Sequence, residues 1–109
     1  MKLMIAGSRS ITDFDLSSHI PYNVDTIISG GAKGIDMLAE QYAIDRKLSR
    51  YIILPNYSRY GKAAPIKRNQ EMVDMADVVL VVWDGKSKGT LSTINYTKTQ
   101  QKQLILITV

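Results

Sequence analysis

Three short apolar runs, Leu3-Met4-Ile5-Ala6, Thr26-Ile27-Ile28 and Val78-Val79-Leu80-Val81-Val82, each lead into a glycine-bearing segment. Those segments are Gly7-Ser8-Arg9, Gly30-Gly31-Ala32-Lys33-Gly34 and Gly85-Lys86-Ser87-Lys88-Gly89-Thr90. The runs are too short for spanning helices and rich in β-branched residues, which reads as strands buried on both faces of a parallel sheet. A stretch able to form a helix follows each glycine segment. In an open α/β sheet the loops after the strands share the carboxyl edge, where helix N-termini present unpaired N–H groups and the positive end of their dipoles. Glycine lets the backbone approach phosphate oxygens closely, so the pattern predicts a phosphate site.

At 109 residues the chain supports a single domain spanning 1–109, large enough to bury roughly two-thirds of its unfolded surface. Its apolar fraction of 45% is ordinary for a globular protein, and no apolar run approaches the ~18 residues of a membrane span. No membrane partner is expected. Met1-Lys2 precedes only four apolar residues before Gly7, which reads as a first strand rather than a signal peptide, so a cytoplasmic location is expected. The absence of cysteine excludes disulfides, thiol nucleophiles and Cys-type zinc sites, and the single histidine, His19, excludes HExxH chemistry. Neither a metal nor a cofactor is expected. The net charge is +4, and more than half of the 14 basic residues fall in or just after the loops assigned to one sheet edge. That edge should be positive.

Five strand-like runs alternate with four helix-like ones, predicting a single α/β, Rossmann-like three-layer domain. Thr12 is placed to cap a short first helix closed by Pro21. The second helix carries Ile35, Leu38, Ala39, Tyr42 and Ala43 on one stripe. A third strand spans Arg50 to Pro55, and a polar loop spans Asn56 to Ala63. A third helix from about Ala64 should turn Ile66, Met72, Val73 and Ala76 inward. Thr90 is placed to cap a fourth helix running to about Lys102, and Leu104 to Val109 forms the last strand. Right-handed crossovers then give a five-stranded parallel sheet of order 3-2-1-4-5, with strands 1 and 4 at the switch point.

Taken in order, Gly7-Ser8-Arg9, Ser29-Gly30-Gly31-Ala32-Lys33-Gly34-Ile35-Asp36 and Trp83-Asp84-Gly85-Lys86-Ser87-Lys88-Gly89-Thr90 resemble the SLOG superfamily. This Rossmann-like group joins the DNA-processing protein DprA (Smf) with the LOG cytokinin-activating phosphoribohydrolases. Tyr60-Gly61-Lys62-Ala63-Ala64, Arg68-Asn69 and Met72-Val73-Asp74-Met75-Ala76-Asp77 are most similar to its small stand-alone branch, related to YspA and YpsA. The resemblance covers essentially the whole chain. It implies binding of a phosphorylated nucleoside or an NAD-derived small molecule, and assembly as a homodimer or higher homo-oligomer, with the third and fourth helices as candidate interfaces.

Carried over residue by residue, the resemblance makes Arg9 a phosphate or ribose contact beside Gly7 and Ser8, a task suited to a planar fork of donors. The alternative is that Arg9 ties its loop to a carboxylate such as Asp36. The N–H groups from Gly31 through Ala32 and Lys33 to Gly34, after Gly30, become a phosphate cradle; the glycines could equally serve only a tight turn. Asp36, in the first helical turn, complements the dipole by ~0.5 kcal/mol. Arg68, Asn69, Asp84, Ser87, Lys88, Gly89 and Thr90 complete the expected ligand site, with Trp83 or Tyr60 available to stack on a base.

The LOG enzymes pair an arginine with a glutamate through Arg-Lys-x-x-Met and Pro-Gly-Gly-x-Gly-Thr-x-x-Glu. Here the first pattern reads Arg68-Asn69-Gln70-Glu71-Met72, and Thr93 stands where the glutamate belongs. Threonine cannot act as a carboxylate base or stabilise an oxocarbenium-like charge, so ligand binding is expected rather than the LOG reaction by its usual route. The alternative is an N-glycoside or nucleotide hydrolase in which Asp84 or Glu71 substitutes. Single-stranded DNA binding, as in DprA, is a third reading, supported by the basic edge but by few aromatics. Neither a Walker A motif nor GxGxxG after strand 1 is present, which argues against ATP hydrolysis and redox use of NAD.

Overall fold

A computed structural model describes residues 1–109. Its strands are β1 (Lys2–Gly7), β2 (Thr26–Ser29), β3 (Ser49–Ile52), β4 (Val78–Trp83) and β5 (Gln103–Thr108). All four strand pairs are parallel, in the order β3-β2-β1-β4-β5. The expected α/β architecture and strand order are both present. Leu3 pairs with Ile27 on one side and Val78 on the other, so the central strands run level and their carboxyl ends emerge together.

The helices are α1 (Ile35–Asp45), α2 (Tyr57–Tyr60), α3 (Ala64–Met75) and α4 (Lys88–Thr99). Alternate residues of a strand face opposite sides of the sheet, which splits the core in two. Leu3, Ile5, Ile27, Leu80 and Val82 pack with Ile35, Ala39 and Ala43 of α1 on one face. Met4, Ile28, Val79 and Val81 pack with Met72 and Val73 of α3 and Ile94 of α4 on the other. The α1 stripe is centred on its two alanines, and Leu38 and Tyr42 border it half-buried. Small residues there let the helix axis approach the strands.

Four local expectations are corrected. Between Pro21 and β1 there is no α-helix, only one 3-10 turn at Ser17–His19. Asp15 accepts hydrogen bonds from the N–H and the hydroxyl of Ser17, a local bond that competes with continuing a helix. The polar loop after β3, which ends at Ile52, holds α2, capped by Asn56 through its bond from the Arg59 N–H at 3.1 Å, and a second 3-10 turn. Ile66 is 45% exposed instead of buried, because Arg68 takes the inward position in the first turns of α3. Finally, α4 begins at Lys88 and ends at Thr99. Ser87 caps it, accepting from the Thr90 N–H at 3.3 Å, and Gln101 terminates the segment in the left-handed region at φ 58°.

A cleft at the carboxyl edge

Between the loops after β1 and β4 and the start of α3 lies a cleft of ≈ 360 Å³, at the lower end of the range of small-molecule sites. From the first loop Gly7 and Arg9 line it, and from the second only Ala32. Arg68 and Asn69 come from α3, and Asp84, Ser87, Gly89 and Thr90 from the segment after β4. Ser8, Gly30, Gly31, Lys33, Gly34, Lys88, Trp83 and Tyr60 are not on its wall. Most of its lining residues carry polar or charged side chains.

Arg68 organises the floor. Although only 7% exposed, its Nη1 donates to the carbonyl oxygens of Gly30 and Ile53, at the ends of β2 and β3, and its Nε donates to Asn69 Oδ1 at 2.8 Å. Burial lowers its pKa, and the nearby Asp36 carboxylate works in the opposite direction. A guanidinium still remains protonated at neutral pH. Its Nη2 makes no hydrogen bond within the chain, so one donor group of a pre-oriented fork is left for the cleft. Arg9, in contrast, is exposed and its side chain makes no ion pair; Asp36 does not hold it.

A network of short polar side chains joins the first and third glycine segments. The Ser8 hydroxyl accepts from the Asp84 N–H at 3.0 Å, and the Ser10 hydroxyl donates to Asp84 Oδ2 at 2.9 Å. Asp84 Oδ1 accepts from the N–H groups of Lys86 and Ser87, both at 2.8 Å. These bonds, led by the Ser87 and Lys86 N–H groups, pull the Asp84 pKa down to about 2. Asp84 is therefore a loop organiser with both oxygens engaged. Trp83 is tied down as well, donating from Nε1 to the Ser87 carbonyl at 3.0 Å while its ring borders the core.

The N-termini of α1 and α4 differ in what they offer an anion. At α1, Gly34 has φ 75°, and a Cβ on it would lie 2.6 Å from the carbonyl oxygens of both Ser8 and Arg9. Only glycine fits there, and those carbonyls, carrying partial negative charge, crowd the start of the helix. The Ala32 N–H is also taken, by Asp36 Oδ2 at 3.1 Å. At α4, Gly89 forms part of the cleft wall, and a Cβ on it would meet nothing within 4 Å. The positive end of α4 is the more accessible of the two.

Several wall residues lie outside the expected set: Ser10, Asp36, Pro65 and Thr93 among them. Asp36 is the consequential one, buried at 7% exposure, with its pKa raised by that burial against the pull of the Ala32 N–H and of Arg68. The signal was available, because Asp36 sits three and seven residues before Ala39 and Ala43, on the face that packs on the sheet. Thr93 lines the cleft with its hydroxyl donating to the Gly89 carbonyl at 3.3 Å. No helix is long and apolar enough to cross a membrane.

No family model matches the chain, and no solved structure matches it. The Gene 61 protein of Mycobacterium phage D29 is 32% identical over 103 residues, an alignment covering 82% of this chain and 82% of that protein. With identity at that level across most of both chains, this protein belongs to the same family as the Gene 61 protein of Mycobacterium phage D29.

Proposed function

We propose that the protein is a SLOG-type domain that binds a phosphorylated nucleoside or NAD-derived molecule in the carboxyl-edge cleft, acting as a sensor, carrier or sequestering protein. The observation that carries this reading is the buried Arg68 fork, anchored on two strand-end carbonyls with Nη2 left over, in a cleft that Arg9 also lines. Two guanidinium groups on one small cleft suit a phosphate ester. The accessible start of α4 adds N–H donors and a favourable dipole.

Hydrolysis is less well supported. Asp84 lines the cleft but has both oxygens engaged in holding its loop, and Glu71 is exposed and off the cleft wall, so neither offers a free carboxylate oxygen to a ligand there. For single-stranded DNA, Trp83 is too constrained to serve as a stacking platform. The reading includes a cytoplasmic site of action and a homo-oligomer through α3 and α4, where exposed Ile66, Met75 and Leu91 supply apolar outer surface.

Calorimetric titration with a panel of nucleoside 5′-monophosphates and ADP-ribose tests it. At least one member should bind, and Arg9→Ala should weaken that binding by about 1.5–3 kcal/mol, the range for a charged hydrogen bond. Unchanged affinity in the variant would place the site elsewhere. Chromatography of the same mixtures should show no free base; base release lost in Asp84→Ala or Glu71→Ala would replace the binding reading with the hydrolase one.

A further inference from the structure

A strand at the margin of a sheet presents unpaired N–H and C=O groups, and proteins protect such edges with charge, proline, bulges or brevity. This sheet ends in β3 on one side and β5 on the other, and only one of the two is protected. β3 has 4 residues. Its flanking bonds, from the Ser49 N–H to the Asp25 carbonyl and from the Ile53 N–H to the Ser29 carbonyl, leave Arg50 and Ile52 with their backbone groups turned outward, and Arg50 puts a charge on that edge. β5 has 6 residues, Gln-Leu-Ile-Leu-Ile-Thr, with neither charge nor proline. Its register with β4 is unbroken from Gln103 to Thr108, so no bulge turns the edge away.

The direction of the β5 groups follows from one bond. The Val109 N–H donates to the Trp83 carbonyl at 2.9 Å. Because the N–H and C=O of a strand residue point to one side and alternate along the chain, Ile105 and Ile107 also face β4, and Leu104, Leu106 and Thr108 turn theirs to the open edge. The side chains are incompletely buried for so apolar a strand. Leu106 is 40% exposed and Leu104, Ile105 and Ile107 are half-buried, whereas Val79, Leu80, Val81 and Val82 of the neighbouring β4 are fully buried.

An occupant of this edge must supply an extended, apolar, uncharged strand, and β5 is itself such a strand. In an antiparallel pair, a hydrogen-bonded couple of residues exchanges both of its N–H···O bonds. A two-fold axis at Leu106 sets Leu106 opposite the partner's Leu106, and Leu104 opposite the partner's Thr108, which uses every outward group of β5. The same register sets Ile105 opposite the partner's Ile107 on the other face of the sheet, a β-branched pair of the kind that stabilises sheets. No like charges meet in this pairing, although the chain carries a net charge of +4. Pairing β5 with the β3 edge of another copy would be head-to-tail and would not close, and it would bring Arg50 against an apolar strand.

We propose that the chain forms a two-fold homodimer by antiparallel pairing of β5 with the β5 of a second copy, centred on Leu106, so that the sheet runs on from one copy into the other. This contact is independent of the ligand reading of the cleft. It lies at the edge of the sheet, apart from the outer surfaces of α3 and α4.

Sedimentation equilibrium of the full chain should give at least the mass of a dimer, and hydrogen exchange should show the amides of Leu104, Leu106 and Thr108 protected along with those that face β4. Leu106→Lys and Leu106→Glu each set like charges opposite one another at the axis. Each should halve the wild-type mass and leave those outward amides exchanging freely. An equimolar mixture of the two should recover the wild-type mass, which a merely damaged strand would not do. Leu91→Lys, on the outer surface of α4, should leave the β5 amides protected. A wild-type monomer, rapid exchange at Leu104, Leu106 and Thr108 in the wild type, or a mixture of folded Leu106 variants that fails to reassociate overturns the inference. So does an assembly lost in Leu91→Lys yet kept in both Leu106 variants, which places the contact on the helices. The wild-type exchange pattern decides between these outcomes if neither Leu106 variant folds.

Discussion

An almost wholly buried guanidinium must be surrounded by acceptors, and Arg68 finds two at the carbonyl ends of adjacent strands. Arg68→Met removes those charged hydrogen bonds and leaves strand-end carbonyls short of a donor. Urea denaturation should show a loss of about 1.5–3 kcal/mol; a loss well below that would mean water replaces the fork. Asp84 makes a different prediction. Its folded pKa of about 2 lies below the ordinary carboxylate value, so its bonds stabilise the fold fully above about pH 4 and cease to do so as pH falls through 2. Asp84→Asn should therefore be less stable than the parent in thermal melts at neutral pH, and the two curves should converge near pH 2. Asp36 has the opposite sign: with its pKa raised by burial, the folded state holds its proton longer, and the group's contribution declines as pH rises from the ordinary carboxylate value. At residue scale the sequence was partly legible. Arg9 and Arg68 stood out as bases near glycine loops, whereas the meeting of Asp36 and Arg68 at one cleft depends on distances between α1 and α3 that no spacing encodes.

Among the elements, α4 illustrates how a cap is chosen. Ser87 and Thr90 both carry hydroxyls suited to capping, but Ser87 has the extended backbone an N-cap requires, φ −62° and ψ 119°, and its Oγ accepts from both the N–H and the hydroxyl of Thr90. Ser87→Ala should cost about 1 kcal/mol in chemical denaturation; Thr90→Ala, which removes no cap, should cost less. The helix N-terminus read from Thr90 was therefore three residues late, a consequence of two candidate caps one turn apart. The segment before Pro21 failed for another reason. Its capping pattern was present, yet Asp15 satisfies the Ser17 N–H locally, and Phe14 stacks on His19 with ring centroids 5.4 Å apart, closing a turn instead of a helix. Strands were read more accurately because burial on both faces leaves an unbroken apolar signature, seen in Val78–Val82.

For the molecule as a whole, handedness of the crossovers was enough to order five strands, and that order brings the first and third glycine segments together at the β1–β4 switch point. The second segment was expected to cradle phosphate alongside them. Its helix start is instead packed against the Ser8 and Arg9 carbonyls, a close approach visible only once the loops are folded onto one another. The cleft thus gathers the guanidiniums of Arg9 and Arg68, the Asp36 carboxylate and the start of α4 on one wall. That arrangement suits a phosphorylated ligand. The most direct test is a 15N–1H spectrum of the labelled protein titrated with ADP-ribose and nucleoside 5′-monophosphates. The largest shifts should fall on the amides of Arg9 and of Ser87 through Thr90, and on the Arg68 side-chain Nε–H. Shifts confined to the amino edge of the sheet around Asp25 and Asp77, or no shifts with any of these ligands, would contradict it.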